Sequence, residues 1–257
     1  MREFCAETIP NATWVNPVAT SGGASAPRTC DFDDKVLRHV KWHPSNHGIT
    51  STYSELIASR IGLLFGAPVL RGMVIHVDLA KLPADLRGRI SQPYHLGFAF
   101  SPGKDFRESD YAAIKNISAL PAAVVLLAWL QVADQMSHNQ YLFQLERVLP
   151  DKSTEKLNDF LLIDLAAICG AHDWSSQTLD NHKVAYTLPP HLASRVKFKD
   201  VEPIIGAIKD IPEDQIRRCL SDYPQDWSIR ADLISKLGDF IIGRRAEVEQ
   251  IVKGQLA

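Results

Sequence analysis

The sequence predicts an α+β chain of two lobes, and three observations predict it. Up to about residue 102 the apolar residues fall in short runs rich in Val and Ile, interrupted by one helical segment. Beyond residue 102 helical spacing dominates. One pair of apolar runs, separated by the polar loop "LPDKSTEK", interrupts that helical part and reads as a hairpin. The chain's 257 residues are enough for a small β-rich lobe over 1–102, a helical lobe over 103–257, and a cleft between them.

The elements follow in order. "TWVNPVA" is short and β-leaning, and "TSGGASAPRT" after it is a loop of small residues, Gly and Pro. "KVLRHVKWH" interleaves Val36, Val40 and Trp42 with polar residues, the pattern of a strand. After the turn "SNHGIT", Ser51 or Thr52 is placed to cap a helix, with Glu55 at capping-box distance from Thr52. That helix ends near Gly66. "APVLRGMVIHVD" and "YHLGFAFS" are strands, with a short polar helix expected over 79–86 between them. "SDYAAIKN" reads as a helix capped by Ser109, and "ALPAAVVLLAWLQVAD" as a buried one with Pro121 near its start, where proline is tolerated. The hairpin strands are "QYLFQLERV" and "LNDFLLIDLA". From Pro189 onward helices prevail, the last one predicted over roughly 229–253.

Bulk properties exclude several classes. Lys and Arg total 28 against 30 Asp and Glu, a net charge of −2, so no global field draws the chain to nucleic acid or an anionic membrane. The apolar run 120–132 is shorter than the roughly 20 residues a membrane span needs. "MREFCAETIP" lacks an apolar signal core. The four cysteines are scattered without a C-x-x-C pair, as expected of a reduced, cytoplasmic protein. The nine histidines form no H-E-x-x-H and no close cluster with cysteine, which argues against zinc.

The polar stretch "DQMSHNQ" sits between two apolar segments, and polar groups buried there need partners or a task. Asp134 and Asn139 occupy this loop, and Asp164 ends the strand "FLLID". Loop and hairpin together would bring these three oxygen-bearing side chains to one place. That set suits Mg²⁺, which takes one or two protein oxygens and leaves the rest to phosphate and water. Phosphoryl transfer uses such a set, together with a strand lysine that neutralises phosphate, a helix glutamate behind it and a flexible glycine loop. The chain offers these in order: Ser21, Gly22, Gly23 and Ser25 in the loop, Lys41 on a strand, Glu55 on the next helix, then Asp134, Asn139 and Asp164. Each also has an ordinary reading. Asp134 is a helix-end residue, Asp164 a turn residue, Lys41 a solvated strand lysine, Glu55 half of a capping box, and the loop a plain connector.

With "VKWHPSNHG", "ELIASRIGLLFGAPV", "HLGFAF", "DQMSHNQYLF" and "FLLIDLAAICG" in this order, the chain resembles the HipA-like kinases, particularly their short single-domain members. The resemblance covers roughly residues 15–175 and leaves the C-terminal helices without a motif. It implies a two-lobed protein kinase-like fold binding ATP and Mg²⁺, with Asp134 catalytic and Asn139 and Asp164 on the metal. Lys41, Glu55 and the glycine loop would hold the nucleotide, with backbone near 97–101 against adenine. It further implies transfer to a Ser or Thr of a protein substrate, a regulatory partner protein and, as in some relatives, a toxin role. The chain departs from the family at Gln135-Met136, where Arg or His is usual, and at Leu165-Ala166 after the metal-site Asp. Those departures keep open a pseudokinase or nucleotide-binding scaffold, and the fold's likeness to lipid kinases keeps open a small-molecule or lipid acceptor. His138 is a neighbour that could assist, or simply a hydrogen-bonding residue, and Trp174 either packs below the metal site or belongs to the core.

Overall fold

The computed structural model describes residues 14–20, 28–32, 36–82, 84, 86–99, 103–134, 140–148, 154–180 and 186–256. The glycine loop, with Ser21, Gly22, Gly23 and Ser25, and the segment 135–139, with His138 and Asn139, lie outside the described residues.

Five strands build the first lobe: β1 (Trp14–Thr20), β2 (Arg28–Phe32), β3 (Arg38–Lys41), β4 (Gly72–His76) and β5 (Tyr94–Ala99). They form one antiparallel sheet in the order β1-β2-β3-β5-β4. A second antiparallel sheet joins β6 (Gly103–Asp105), β7 (Gln140–Val148) and β8 (Thr154–Leu162). The remainder is helical: α1 (Ile49–Leu64), α2 (Leu120–Leu130), α3 (Ser176–Asp180), α4 (Pro190–Ala193), α5 (Phe198–Lys209), α6 (Glu213–Ser221), α7 (Ala231–Arg244) and α8 (Val248–Lys253). The α+β, two-lobed architecture expected from the sequence is the one observed.

Several boundaries differ from expectation, each for a local reason. Arg28 to Phe32 forms the strand β2, where the sequence suggested the end of a loop. Its apolar side chains, Cys30 and Phe32, are both buried, but two such residues in five give too short a period to read. The segments 79–86 and 109–116 hold 3₁₀ turns, Leu79–Lys81 and Glu108–Ala113, rather than longer helices. The terminal helix is broken into α7 and α8, although its apolar spacing runs on through the break. β8 starts earlier and stops before Asp164, because the hairpin register pairs Val148 with Thr154 and Gln140 with Leu162.

Two helices organise the core. α2 buries every residue from Leu120 to Leu130 except Pro121, as "LPAAVVLLAWL" demands. Its C-terminal carbonyls would be left without donors, and Arg244 of α7 supplies them, reaching Trp129 O at 3.0 Å and Ala128 O at 2.8 Å. Trp129 returns a bond from Nε1 to Ile241 O at 2.8 Å. Among the described residues, no helix is long and apolar enough to cross a membrane.

α1 is buried on all sides from Thr50 to Gly62, so its many polar side chains must find partners. Ser59 Oγ donates to Leu70 O at 2.6 Å and accepts from Gly72 N at 2.8 Å, which fastens α1 to the entry of β4. Tyr53 Oη donates to Leu220 O at 2.7 Å and Arg60 to Cys219 O at 2.9 Å, fastening its other face to α6. The helix thus spans both lobes. It begins at Ile49, so neither Ser51 nor Thr52 is its cap and Glu55 is not half of a capping box. Thr52 Oγ1 donates instead to Trp42 O at 3.2 Å.

Between sheet and helices lies a cluster of buried rings. His43 stacks on Trp227 at 4.8 Å, and Trp227 Nε1 donates to Tyr94 O at 2.9 Å. His43 N donates to His95 Nδ1 at 3.0 Å. Burial holds His95 down to about 3 and His43 to about 4; His39 also falls to about 4, through burial and the nearby Lys41 charge. All three are therefore neutral in the folded chain and basic near the usual 6.5 once unfolded. The unfolded state then binds more protons below that pH, so stability falls as pH drops from about 6.5 toward 4. Glu55, raised to about 7, works in the opposite sense, but it is one group against three. The thermal midpoint measured from pH 7 to pH 5 is expected to fall, by the equivalent of roughly 2 kcal/mol or more.

Candidate active site

The site grows out of β3, α1 and the segment after β8. Lys41 is the last residue of β3 and pairs across the sheet with Leu96 of β5, and its side chain reaches Glu55 of α1. Glu55 sits on the second turn of α1, only 2% exposed. Lys41 Nζ donates to Glu55 Oε1 and, at 2.7 Å, to Asp164 Oδ1. One ammonium therefore joins a strand, a helix and the segment after a hairpin.

The electrostatics follow from sharing one cation between two carboxylates. Burial works against the charge on Lys41, but Glu55 and Asp164 outweigh it and raise its pKa. Burial would likewise push Asp164 up, yet the charge and hydrogen bond of Lys41 prevail and hold it at about 2. Glu55 is raised instead, first by burial and then by the Asp164 charge against it, with Lys41 opposing. Asp164 thus keeps its negative charge, and it is the more exposed partner, at 46%.

Asp134 is fixed relative to Asp164 by the backbone. The chain leaves α2 through Gln131 in the left-handed region, at φ 50°. Gly170 N then donates to Gln131 O, and Ala133 N to Ala167 O, both at 2.8 Å. These two bonds tie the Asp134 segment to the one that follows Asp164. Asp134 at φ 59°, Asp164 at φ 55° and Cys169 at φ 59° share the left-handed region with Gln131. Four non-glycine residues so placed in two adjoining segments mark a backbone held in shape by its surroundings, as functional sites often are. Asp164 fits Mg²⁺ as a hard oxygen donor, held firmly ionised and reaching solvent, with most remaining positions left to phosphate and water. The structure brings Lys41, Glu55 and Asp164 into contact and links Asp134 to them, while Asn139 and the glycine loop fall outside the described residues.

Gly97, expected near adenine, lies in β5 opposite Val40 and Met73. A Cβ there would stand 2.9 Å from Ile75 Cγ2, so packing accounts for the glycine. Trp174 belongs to the core, donating from Nε1 to Ser54 Oγ at 2.8 Å on α1. Sequence reasoning missed the residues just before it. Asp173 serves the start of α1, accepting from Thr50 Oγ1 at 2.8 Å and Thr50 N at 3.4 Å. His172 Nε2 lies 3.7 Å from Asp134 Oδ2. The adjacency of "HD" to the Asp164 segment was the available signal, but it has no period and no motif spacing.

The fold compares with solved kinases. CtkA, a proinflammatory kinase of Helicobacter pylori, matches 96% of this chain and 98% of its own with a TM-score of 0.59 and 13% identity. The Golgi casein kinase matches in a structure with Mn and ADP bound (TM-score 0.51, 10% identity, 95% of this chain and 72% of that one). A further structure of the Golgi casein kinase gives 0.52, 10%, 95% and 73%. The chain therefore has the kinase-like fold. No family model matches it and no curated protein matches it in sequence, so the likeness to the HipA-like family rests on the motifs alone.

Removing the shared cation leaves a buried carboxylate facing a second one. Lys41→Met is expected to destabilise the chain by about 3 kcal/mol at pH 7, measured by urea unfolding. Glu55→Gln added to it should recover much of that loss, because an amide carries no charge to bury.

Proposed function

We propose that the chain is an ATP- and Mg²⁺-dependent phosphotransferase acting on a protein Ser or Thr hydroxyl. The observation that carries this reading is the Lys41 ammonium bridging buried Glu55 and ionised Asp164 in a chain with the kinase fold. Nucleotide use is supported by the Mn and ADP bound to one structural neighbour. Protein as the acceptor, and Ser or Thr within it, is argued by likeness to the HipA-like kinases.

In this reading Lys41 sets its charge against the nucleotide phosphates, and Glu55 holds it there. Asp164 and Asn139 would hold Mg²⁺, whose charge, when bound, offsets the negative charge that builds on the transferred group. Asp134 accepts the hydrogen bond of the acceptor hydroxyl, orients it, and takes its proton. A bond forms between the acceptor oxygen and the γ-phosphorus, the bond from that phosphorus to the bridging oxygen breaks, and ADP leaves. Ser21, Gly22, Gly23 and Ser25 would close over the phosphates.

A second reading keeps the nucleotide and drops the turnover. It is favoured by Leu165 and Ala166, both buried directly after Asp164, where the HipA-like pattern has a pair ending in glycine.

Two measurements separate these readings. ATP with Mg²⁺ at about 100 times its Kd should stabilise the folded chain by about 2.7 kcal/mol, read as a rise in thermal midpoint. Asp134→Asn should keep that rise while phosphate transfer, including self-phosphorylation seen by mass spectrometry, falls by roughly 10² or more. A rise without turnover in the unaltered chain would favour the second reading. No rise would remove the nucleotide site.

A further inference from the structure

His172 stands outside every motif in the sequence, yet it connects the start of α1 to Asp134. Its Nε2 lies 3.7 Å from Asp134 Oδ2, too long for a hydrogen bond and close enough for an ion pair when the ring is protonated. The ring has a neighbour on one face. It stacks on His47, with centroids 4.7 Å apart and planes at 26°. Its Nδ1 is buried without a hydrogen-bond partner.

The neighbouring residue fixes the backbone beneath that ring. Asp173 takes two bonds from Thr50, and Trp174 N donates to Thr50 Oγ1 at 3.2 Å. Gly48, at φ +107°, lets the turn approach, since a Cβ there would fall 2.3 Å from Asp173 Cγ. His47, Gly48 and Thr50 therefore form one seat for 172–174, built from the turn that follows the Lys41 strand. Asp134 itself is 51% exposed, in a backbone conformation that non-glycine residues rarely hold. A carboxylate so exposed is aimed better by each neighbour that restricts its rotamers.

We propose that His172 is a positioning residue for Asp134, its imidazole set against His47 so that the Asp134 carboxylate is held toward the acceptor hydroxyl. The inference rests on the phosphotransferase reading. Apo contacts of this kind are often long and shorten in the reacting complex.

The test compares His172→Ala and His172→Gln, the latter placing an amide N–H at similar reach to the imidazole Nε2. His172→Ala should lower kcat about tenfold while KM for ATP stays unchanged, because the Lys41 contacts are untouched. His172→Gln should restore most of the rate even if both variants lose the same thermal stability, which a purely structural role would not produce. In an Asp134→Asn background His172→Ala should cost nothing further. Independently, the ¹⁵N resonance of His172 Nε2 in the full chain should move when Asp134 becomes Asn at fixed pH. Unchanged kcat in His172→Ala, or an Nε2 resonance indifferent to Asp134→Asn, would overturn the inference. If the unaltered chain shows no turnover, the phosphotransferase reading fails by itself and the resonance alone decides whether His172 holds Asp134. Should His172→Ala not fold, His172→Gln and the resonance decide it.

Discussion

One ammonium, shared by two carboxylates from distant parts of the chain, is the constraint around which this molecule is arranged. Lys41 reaches Asp164 across 123 positions of sequence and Glu55 across 14. A lysine taken out of water is costly unless paired, and so is the buried Glu55 carboxylate. The arrangement is therefore tolerable only if β3, α1 and the segment after β8 all arrive together. Much of the rest can be read as what makes them arrive. Ser59 fastens α1 to β4, Tyr53 and Arg60 fasten it to α6, and Leu162 N donates to Pro68 O at 2.7 Å just before Asp164.

The polar content of α1 makes sense in this light. A helix buried on every side is normally apolar on every side. α1 instead carries Thr50, Thr52, Ser54 and Ser59, each of which finds a backbone or side-chain partner. These bonds are directional where apolar contacts are not, so they set the rotation and depth of the helix as well as its presence. Glu55 meets Lys41 because the helix cannot turn a few tens of degrees without breaking several of them.

Much of this was legible in the sequence, and the rest was hidden for identifiable reasons. The strand, helix and hairpin bearing Lys41, Glu55 and Asp164 were each visible through apolar periodicity, and their order suggested that they meet. Asp134 was visible as a polar residue at the end of an apolar helix. β2 was not, because two inward side chains do not make a period. The start of α1 was misplaced because its partner, Asp173, is 123 residues from Thr50, and local capping patterns cannot register such a donor–acceptor pair. His172 was missed for the same reason. Its significance is set by what stands next to it in space, a histidine from one end of the chain and an aspartate from the middle.

The bond from Arg244 to α2 bears on the silence of the C-terminal third. Arg244, Trp227, Tyr53 and Arg60 each donate a hydrogen bond to a peptide oxygen. A peptide oxygen is the same atom whatever residue carries it, so the receiving position is free to drift in evolution while the contact persists. Only the donor need be kept, and a single retained arginine or tryptophan leaves no pattern of the kind that a pair of matched side chains would. A third of the protein can thus brace the segment that carries Asp134 without presenting a motif, its information lying in shape and reach rather than in words.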